Sequence, residues 1–262
     1  MSNADALLRD GDLDGARAAL IEIVRSQPSD AQARIFLFQL LAVTGEWDKA
    51  KNQLQSLAQL SPEVQMLAAA YGQAIEAEAS RMAVFAGQEP MQLLAGSDGW
   101  GSGLADAITL LAKGDVAAGI VARDAAFDAA PDCPGTFNGA AFEWIADADP
   151  RFGPSFEAII SGRYGLIPFD TIEHIKSEGP RDLRDIVWYP VQIGFRNGQS
   201  IAALLPARYP GSELSGEANE KLTRATGWNK TDWGEAGSGQ HLWSLSTGDE
   251  HGILSATFLA FD

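Results

Sequence analysis

Three carboxylates and an arginine lie close together in the middle of the chain: Glu143, Asp147, Asp149 and Arg151. Clustered carboxylates can bind a divalent cation or work as a general acid and base, so they are a candidate metal-dependent catalytic site. A structural role is the favoured alternative. Asp149 directly precedes Pro150, which is typical of an N-cap followed by proline at the first position of a helix. In that arrangement the arginine neutralises the cluster or pairs with Glu157.

Four arginines of the second half recur beside aromatic and acidic residues: Arg163, Arg181, Arg184 and Arg208. Guanidinium groups match the geometry of carboxylates and phosphates, so these residues could form an anion-binding pocket. The chain is strongly acidic, however, and internal ion pairs are the favoured interpretation.

Glycines at positions 99, 101 and 103 precede a predicted helix at 104–113 and superficially resemble a dinucleotide-binding loop. No strand leads into them, and the third glycine comes one residue too early for that motif. We therefore predict a flexible loop between helices.

The remaining nucleophiles and metal-binding side chains form no recognisable catalytic motif. Ser238 lies between two glycines near His241, but the Gly-x-Ser-x-Gly spacing of a nucleophile elbow is missing, so a tight turn before a strand is predicted. Cys133 has no histidine close in sequence and is predicted to be a small packed residue. The histidines, at positions 174, 241 and 251, are too separated to suggest a metal site. The sequence thus predicts no cofactor and no resident metal.

Charge and composition narrow the class of partner. The 262 residues carry a net charge of −16, and residues 1–130 and 131–262 contribute −8 each. Nucleic acid and anionic membrane surfaces would be repelled on average, so proteins or small molecules are the expected partners. The single cysteine fits a reducing compartment. Because neither a signal peptide nor a membrane-spanning segment is recognisable, a cytoplasmic protein is expected.

The first half repeats itself with a period of 34 residues. The segment 11–16 (GDLDGA) corresponds to 45–50 (GEWDKA), and Pro28 corresponds to Pro62. A third copy starts at Gly114 and reaches Pro131 over the same 17-residue spacing that links Gly11 to Pro28. This period is that of the tetratricopeptide repeat, a helix–turn–helix unit whose stacked copies form a concave binding surface. We predict a helical-repeat domain over residues 1–132.

Apolar residues at helical spacing predict which face of each repeat helix is stacked. On the second predicted helix these are Ala33, Phe36, Leu37, Leu40 and Leu41. Polar and aromatic residues off that face are candidates for binding a partner, namely Arg34, Phe38 and Gln39.

Residues 133–262 change to a pattern of strands and turns. Strands are predicted at 142–145, 172–176, 242–245 and 254–261, with one helix near 155–161. The segments 187–195 and 200–205 flank Asn197-Gly198, a strong hairpin signal. The predicted fold is therefore multidomain, an α-helical repeat followed by an α+β domain with a mainly antiparallel sheet.

An ordered set of segments in this second half resembles the ImpE family, whose members are also called SciE-type or TagJ accessory proteins. The set comprises 142–154 (FEWIADADPRFGP), Glu157, 162–164 (GRY), 167–169 (IPF), 180–185 (PRDLRD), 187–188 (VW), Pro190, 206–212 (PARYPGS) and 232–233 (DW). Residues 7–13 (LLRDGDL) extend the similarity to the first half.

The resemblance implies a non-catalytic accessory role in bacterial type VI secretion. It implies binding to the small subunit of the contractile sheath, through that subunit's N-terminal helical region, and a link to the ClpV-type disassembly ATPase. The helical repeat suits an amphipathic helix as ligand. Two alternatives stay open: a chaperone-like module for another helical client, and the metal-dependent enzyme described above.

Positions within the resembling segments suggest a second candidate binding surface, comprising Arg151, Arg163, Trp188, Arg208 and Tyr209. Most tryptophans are expected in the core, including Trp144. Trp228 and Trp233 lie in a polar stretch and are predicted to be either interface anchors or core residues.

Overall fold

The computed structural model describes residues 2–59, 62–96 and 99–262. Its first part is helical, with α1 (Ser2–Arg9), α2 (Leu13–Ser26), α3 (Ala31–Val43), α4 (Trp47–Ala58), α5 (Pro62–Phe85), α6 (Trp100–Ala112) and α7 (Val116–Ala129). Consecutive helices pack against each other in pairs: α1 on α2, α3 on α4 and α6 on α7. The predicted helical repeat is confirmed.

The repeated Gly-Asp motif forms the turns between paired helices. Gly11 and Gly114 end a helix with φ of 81° and 83°, a left-handed conformation that favours glycine. The following Asp12 and Asp115 are N-caps whose carboxylates accept from the backbone N–H three residues on. In the middle copy Glu46 makes no such cap and instead forms ion pairs with neighbouring basic side chains. The feature that recurs after 34 residues is therefore the left-handed glycine that ends a helix, since Gly45 has a φ of 70° as well.

The glycine-rich segment before α6 differs from its prediction. The helix begins at Trp100, so Gly101 and Gly103 lie inside it rather than in a flexible loop. A Cβ at Gly101 would stand 3.0 Å from Pro168, and one at Gly103 would stand 3.8 Å from Ala126. These glycines therefore let α6 pack closely against its neighbours. Residues 97–98 of that prediction lie outside the described residues.

The second part is built on an antiparallel sheet of order β2-β1-β13-β6-β7-β8-β4-β5. Its strands are β1 (Gly135–Phe137), β2 (Ala140–Phe142), β4 (Ser155–Ile160), β5 (Arg163–Pro168), β6 (Ile172–Lys176), β7 (Trp188–Phe195), β8 (Ser200–Pro206) and β13 (Phe258–Phe261). Two smaller sheets combine β3 (Ile145–Asp147) with β11 (Leu242–Leu245) and β12 (Glu250–Gly252), and β9 (Thr226–Thr231) with β10 (Gly234–Gly239). A short helix, α8 (Ala218–Lys221), and a 3₁₀ helix, Leu183–Ile186, connect strands. The fold is thus an α-helical repeat followed by an α+β part, as predicted.

Several strand predictions are confirmed, whereas three predicted elements differ from the structure. The hairpin at Asn197-Gly198 joins β7 and β8, with Gly198 at φ 83°. The helix predicted near 155–161 is wrong, because this segment is strand β4, paired on both sides by β5 and β8. Five of its six residues are buried, including Ser155 and Glu157, so its buried positions show no alternation that would separate a strand from a helix. The strand predicted at 254–261 is shorter, since Ile253–Ser255 form a 3₁₀ helix.

The strand predicted at 142–145 is two strands with a break between them. Strand β2 ends at Phe142, and β3 begins at Ile145 in a different sheet. Trp144, expected in the core, lies in the break and is 42% exposed.

Helices and sheet share one of the two hydrophobic cores. Buried Phe38 and Leu41 of the helices belong to the same cluster as Ile159 and Trp188 of the sheet, while the buried residues of a second cluster all lie between Cys133 and Phe261. The secondary structure changes between Ala129 and Gly135, close to the domain boundary predicted between 132 and 133. That the chain divides into two domains at this boundary stays a prediction. In the described part of the chain, no helix is long and apolar enough to cross a membrane.

Candidate functional site

Most residues of the second predicted binding surface do not lie on the surface of the protein. Arg151, Trp188, Arg208 and Tyr209 are all buried between the helices and the sheet, and of the predicted set only Arg163 is exposed. Each of the four forms hydrogen bonds or ring contacts inside the protein. As a solvent-exposed docking patch the prediction is wrong, because these residues build the interior junction of the two halves.

At the centre of this junction a chain of buried charged groups crosses from helix to sheet. Arg81 of α5 donates from Nε and Nη2 to the two carboxylate oxygens of Glu157 on β4, at 2.8 and 2.6 Å. The same carboxylate accepts from His241 Nε2 at 2.9 Å. The other ring nitrogen of His241 lies 2.7 Å from Asp147, which also accepts from the hydroxyl of Tyr209 at 2.8 Å. We call Arg81, Glu157, His241 and Asp147 the buried charge chain.

Arg81, Glu157 and His241 favour one another's charged forms, whereas burial raises the pKa of Asp147 above its ordinary value. Burial lowers the pKa of His241, but the carboxylates of Asp147 and Glu157 outweigh it and raise that pKa to about 9. Burial raises the pKa of Glu157, yet Arg81 and His241 bring it well below the ordinary value. At neutral pH the imidazole is therefore a cation held between two carboxylates, and both ring nitrogens act as donors.

Asp149 and Arg151 form a second buried ion pair beside the first. The carboxylate of Asp149 accepts from Arg151 Nη2 at 2.6 Å and from the backbone N–H of Gly237 at 2.7 Å. The guanidinium lies 5.2–5.4 Å from the ring centroids of Phe85, Phe152 and Trp233. The N-cap predicted for Asp149 is wrong, because turns and strand β4 follow it instead of a helix. Of the two roles predicted for Arg151, neutralisation of the carboxylate cluster is confirmed by its ion pair with Asp149, whereas Glu157 is bound by Arg81 instead.

Two arginines from the sheet half cap helices of the repeat. Arg208 donates from Nη1 and Nη2 to the carbonyls of Val43 and Ala42, at the C-terminal end of α3. Arg224 does the same for the last carbonyls of α1, at 3.0 and 3.2 Å. The final carbonyls of a helix have no partner within it and carry partial negative charge, which a guanidinium satisfies. These hydrogen bonds from guanidinium groups join the two halves at the C-terminal ends of α1 and α3.

The carboxylate cluster does not assemble as a metal-dependent enzyme would require. Glu143 is exposed next to strand β2, whereas Asp147 and Asp149 are buried and bound by His241, Tyr209 and Arg151. Among residues 2–59, 62–96 and 99–262 no group of three or more histidine, cysteine, aspartate or glutamate side chains is arranged to hold a metal ion.

The predicted binding residues of α3 have three different environments. Arg34 bonds to the carbonyl of Pro28 and to Gln53, and Phe38 is fully buried against Tyr71. Gln39 is buried as well, but it lines a cleft. The expectation that these positions lie off the packed face is therefore wrong for Phe38, because α3 is covered on more than one side.

That cleft lies between the repeat and the sheet half and has a volume of about 850 Å³. One wall is formed by Leu8 of α1 and by four residues of α3, Gln32, Ile35, Phe36 and Gln39. The other wall is formed by residues 180–183, Ile186 and 222–224, with Leu254. We call it the α3 cleft.

A second, smaller groove of about 460 Å³ lies between α5, α6 and the loop 210–214. Exposed apolar side chains at its rim are Met82 and Leu214, and Trp233 lies beside them. Its lining includes the charged groups of Glu78, Arg81 and Arg151. We call it the α5 groove.

The other predicted positions have mainly structural contacts. Of the four arginines for which ion pairs were predicted, Arg181 pairs with Glu178 and Arg184 pairs with Asp182 at 2.7 Å. Arg208 differs from this prediction, because it bonds to backbone carbonyls. Ser238 lies within strand β10 rather than in a turn, and its hydroxyl donates to Glu220.

Three aromatic or sulfur positions complete this comparison. Trp228 is 39% exposed with its ring near Tyr209, and Trp233 is half-buried against Arg151. Cys133 is buried, as predicted.

The most polar part of the junction could not be found from local sequence patterns. His241 meets carboxylates that are 84 and 94 residues away in sequence, and Arg81 meets one that is 76 residues away. One signal was available in α5. Glu78 and Arg81 lie three residues apart in an alanine-rich helix, both are buried, and Glu78 accepts from the indole of Trp188.

Comparison with known proteins identifies the fold and the family of the chain. A tetratricopeptide-repeat model matches residues 7–73, and the model described as ImpE protein matches residues 139–258. The crystal structure of protein VPA1032 from Vibrio parahaemolyticus has the same fold, with a TM-score of 0.87 and 22% identity over 99% of this chain and 97% of that one. The type VI secretion system accessory component TagJ of Pseudomonas aeruginosa is 44% identical over 248 residues, which are 94% of this chain and 86% of that protein. The chain therefore belongs to the ImpE family, the family of the accessory component TagJ.

Proposed function

We propose that the protein is an accessory adaptor of a type VI secretion system and acts by binding a helical segment of another protein of that system. The observation that carries this proposal is the 44% identity with TagJ over nearly the whole chain. The helical repeat supports the mode of action, because stacked helix pairs present a groove to a partner's helix.

The finer proposal names the partner as the small subunit of the contractile sheath, bound through its N-terminal helix, with a link to the ClpV-type ATPase. An apolar stripe of α3 that other elements leave partly uncovered supports it, since Ile35 and Phe36 are only half-buried. An amphipathic helix is the ligand that such a stripe fits. A cytoplasmic location is part of the same proposal.

An adaptor without catalytic activity is favoured by the chemistry of the junction. A general base needs a free lone pair and access to substrate. In His241 both ring nitrogens are bonded to carboxylates, and the side chain is buried. The group that most resembles catalytic machinery is therefore fully engaged within the fold.

The test is a calorimetric titration of the full-length protein with purified sheath small subunit and, separately, with a peptide of its N-terminal helix. We expect a dissociation constant in the micromolar range or tighter for both, and none measurable for a scrambled peptide. The ATPase is titrated alone and with the sheath subunit present. Absence of binding to the sheath subunits and to the ATPase would refute the adaptor role. A pull-down dominated by an unrelated helical protein would favour a general chaperone-like module instead.

A further inference from the structure

We infer that a cleft at one end of the large sheet binds a short acidic segment of another protein and takes up one large apolar side chain of that segment. The cleft lies between the β7–β8 hairpin and the turn that joins β4 to β5, and we call it the hairpin cleft. Its lining comprises residues 94–96, Ile160, Arg163, Thr171, 195–197, Gln199 and Ile201. The proposed sheath contact lies on the helical repeat, so this inference goes beyond the proposed function and does not depend on it.

The floor of the hairpin cleft is apolar and continues the core of the sheet half. Phe195 belongs to the second hydrophobic cluster, and Leu94, Ile160 and Ile201 are partly buried against that cluster. The cleft has a volume of about 600 Å³, within the range that ligand-binding pockets usually have. The part of the ligand that reaches this floor must therefore be apolar.

The charged side chains that line the cleft are both arginines. Arg163, the exposed member of the second predicted binding surface, makes no hydrogen bond or ion pair with the described residues, so its charge is uncompensated. None of the described lining residues is acidic, although the chain has 35 acidic side chains against 19 basic ones. The α3 cleft and the α5 groove, by contrast, are lined by acidic and basic side chains together. The hairpin cleft is therefore a local basic site in an acidic protein.

The second arginine is held in position and keeps a free donor. Arg196 donates from Nε and Nη1 to main-chain oxygens of Asp170 and Asp262, at 3.0 and 2.9 Å, while its Nη2 has no partner among the described residues. The side-chain carboxylates of Asp170 and Asp262 form no ion pair with it, and that of Asp170 accepts from the indole of Trp100 instead. Carboxylates of a ligand are the groups that two such guanidinium groups bind.

Charge also limits the size of the ligand. A long polyanion, such as nucleic acid or an anionic membrane, extends beyond the cleft and is repelled by the net charge of −16. A short acidic segment meets mainly the local arginines, because charges farther away than about 8–10 Å are screened at physiological salt. The walls are ordered in advance, since the N–H of Arg196 donates to the carbonyl of Thr171 at 3.1 Å and that of Leu94 to Leu166 of β5 at 2.8 Å. Such a site loses less entropy on binding.

The experiment measures binding of two short labelled peptides to the full-length protein by fluorescence anisotropy at low salt. Both peptides carry one central leucine, which is flanked by aspartates in one and by lysines in the other. We expect the acidic peptide to bind at least about tenfold more tightly. The net charge of the chain alone predicts the opposite order, so the comparison separates the cleft from general electrostatics. Glycine in place of the leucine should weaken the acidic peptide about tenfold, because the apolar floor then has no ligand.

Contact with the cleft is tested by Arg163→Glu, which should weaken binding of the acidic peptide about tenfold or more. This variant should fold, because Arg163 is exposed and unbonded, and circular dichroism checks that it does. Arg9→Glu is the matched control, since Arg9 is an exposed arginine at the end of α1 and the change in charge is the same. Its affinity should stay within about twofold of the unaltered protein. Equal losses in both variants, or a lysine peptide that binds as tightly as the acidic one, would overturn the inference.

Two further measurements separate this site from the sheath contact and from self-association. The sheath small subunit is titrated with Arg163→Glu, and an unchanged affinity supports a second, separate surface, whereas a loss as large as that of the peptide overturns it. Sedimentation velocity of the protein alone tests a second copy as the occupant. Association that rises with concentration and is abolished by Arg163→Glu would overturn the assignment to another protein. If the sheath subunit does not bind the unaltered protein, the proposed partner is wrong and the peptide comparison alone decides the inference.

Discussion

His241 shows how strongly one side chain can depend on its surroundings. The imidazole is buried, which by itself disfavours the charged form, yet Asp147 and Glu157 hold it as a cation. Glu157 in turn depends on Arg81. The four groups therefore stabilise the fold only together, and removal of one leaves another buried without compensation.

Arg81→Met should destabilise the protein strongly. The substitution keeps much of the side-chain volume but leaves Glu157 without its bidentate partner, and breaking a buried pair in this way costs about 3–5 kcal/mol. Urea unfolding followed by circular dichroism measures the loss. Arg25→Met is the matched control, because Arg25 and Glu22 form an exposed pair and such pairs contribute about 0–1 kcal/mol. Equal effects of the two substitutions would contradict the assigned role of the buried charge chain.

The stability should also depend on pH through His241. Its pKa in the folded protein is about 9, above the ordinary value of 6.5, so the folded state binds the proton more tightly than the unfolded state. The resulting stabilisation is fully present below about pH 6.5 and is lost as the pH rises through about 9. The expected loss is on the order of 3 kcal/mol across that window. Urea titrations at a series of pH values should show this slope in the native protein and its absence in His241→Gln.

At the scale of elements, two glycines provide a direct test of backbone conformation. Gly72 lies inside α5, Gly114 lies in the turn after α6 with φ of 83°, and a Cβ at either position would meet no atom within 4 Å. Gly72→Ala should stabilise by about 0.4–1 kcal/mol, because alanine favours the helix and restricts the unfolded chain. Gly114→Ala should destabilise by about 1–2 kcal/mol, because alanine disfavours a left-handed conformation. Thermal unfolding of both variants measures these effects as opposite shifts of the melting temperature. A shift of the same sign in both variants would contradict the prediction.

The elements that could be predicted are those set by local chemistry. The Gly-Asp turns recur because a left-handed glycine and an aspartate cap are both determined within a few residues, and the hairpin at Asn197-Gly198 has the same local origin. The helix predicted over strand β4 is wrong because the strand is defined by its backbone pairing with β5 and β8, which its own residues do not reveal. Elements whose identity comes from their neighbours in the fold leave no such pattern in the sequence.

The candidate site was predictable only in part for the same reason. Gln39 was singled out from helical spacing and does line the α3 cleft. Phe38 was selected by the same criterion and is buried, since the sheet half and α5 cover sides of the repeat that an isolated repeat would expose. Helical spacing locates a face, but only the packing of the halves decides whether solvent reaches it.

At the scale of the whole molecule, the junction joins two halves that differ in structure but share a core. Trp188 of β7 packs its ring near those of Trp47 and Tyr71, and its indole donates to Glu78 of α5. Separated halves would expose this tryptophan, part the carboxylate of Glu157 from Arg81 and part that of Glu78 from the indole of Trp188. Separation of the halves is therefore opposed both by the apolar surface that it would expose to water and by the buried charged contacts that it would break.

We accordingly propose that the boundary between residues 132 and 133 divides two structural parts that do not fold alone. Expressed by itself, the 133–262 fragment should lack dispersed amide signals in an NMR spectrum, because Glu157 would lose Arg81 and the shared core would be open to water. Co-expression with 1–132 should restore a native-like complex, since the arginine caps and the shared core form across the cut. An Arg81→Met change in the 1–132 fragment should weaken that complementation, whereas Arg25→Met should leave it intact. A dispersed, cooperatively unfolding 133–262 fragment would instead establish two independent domains.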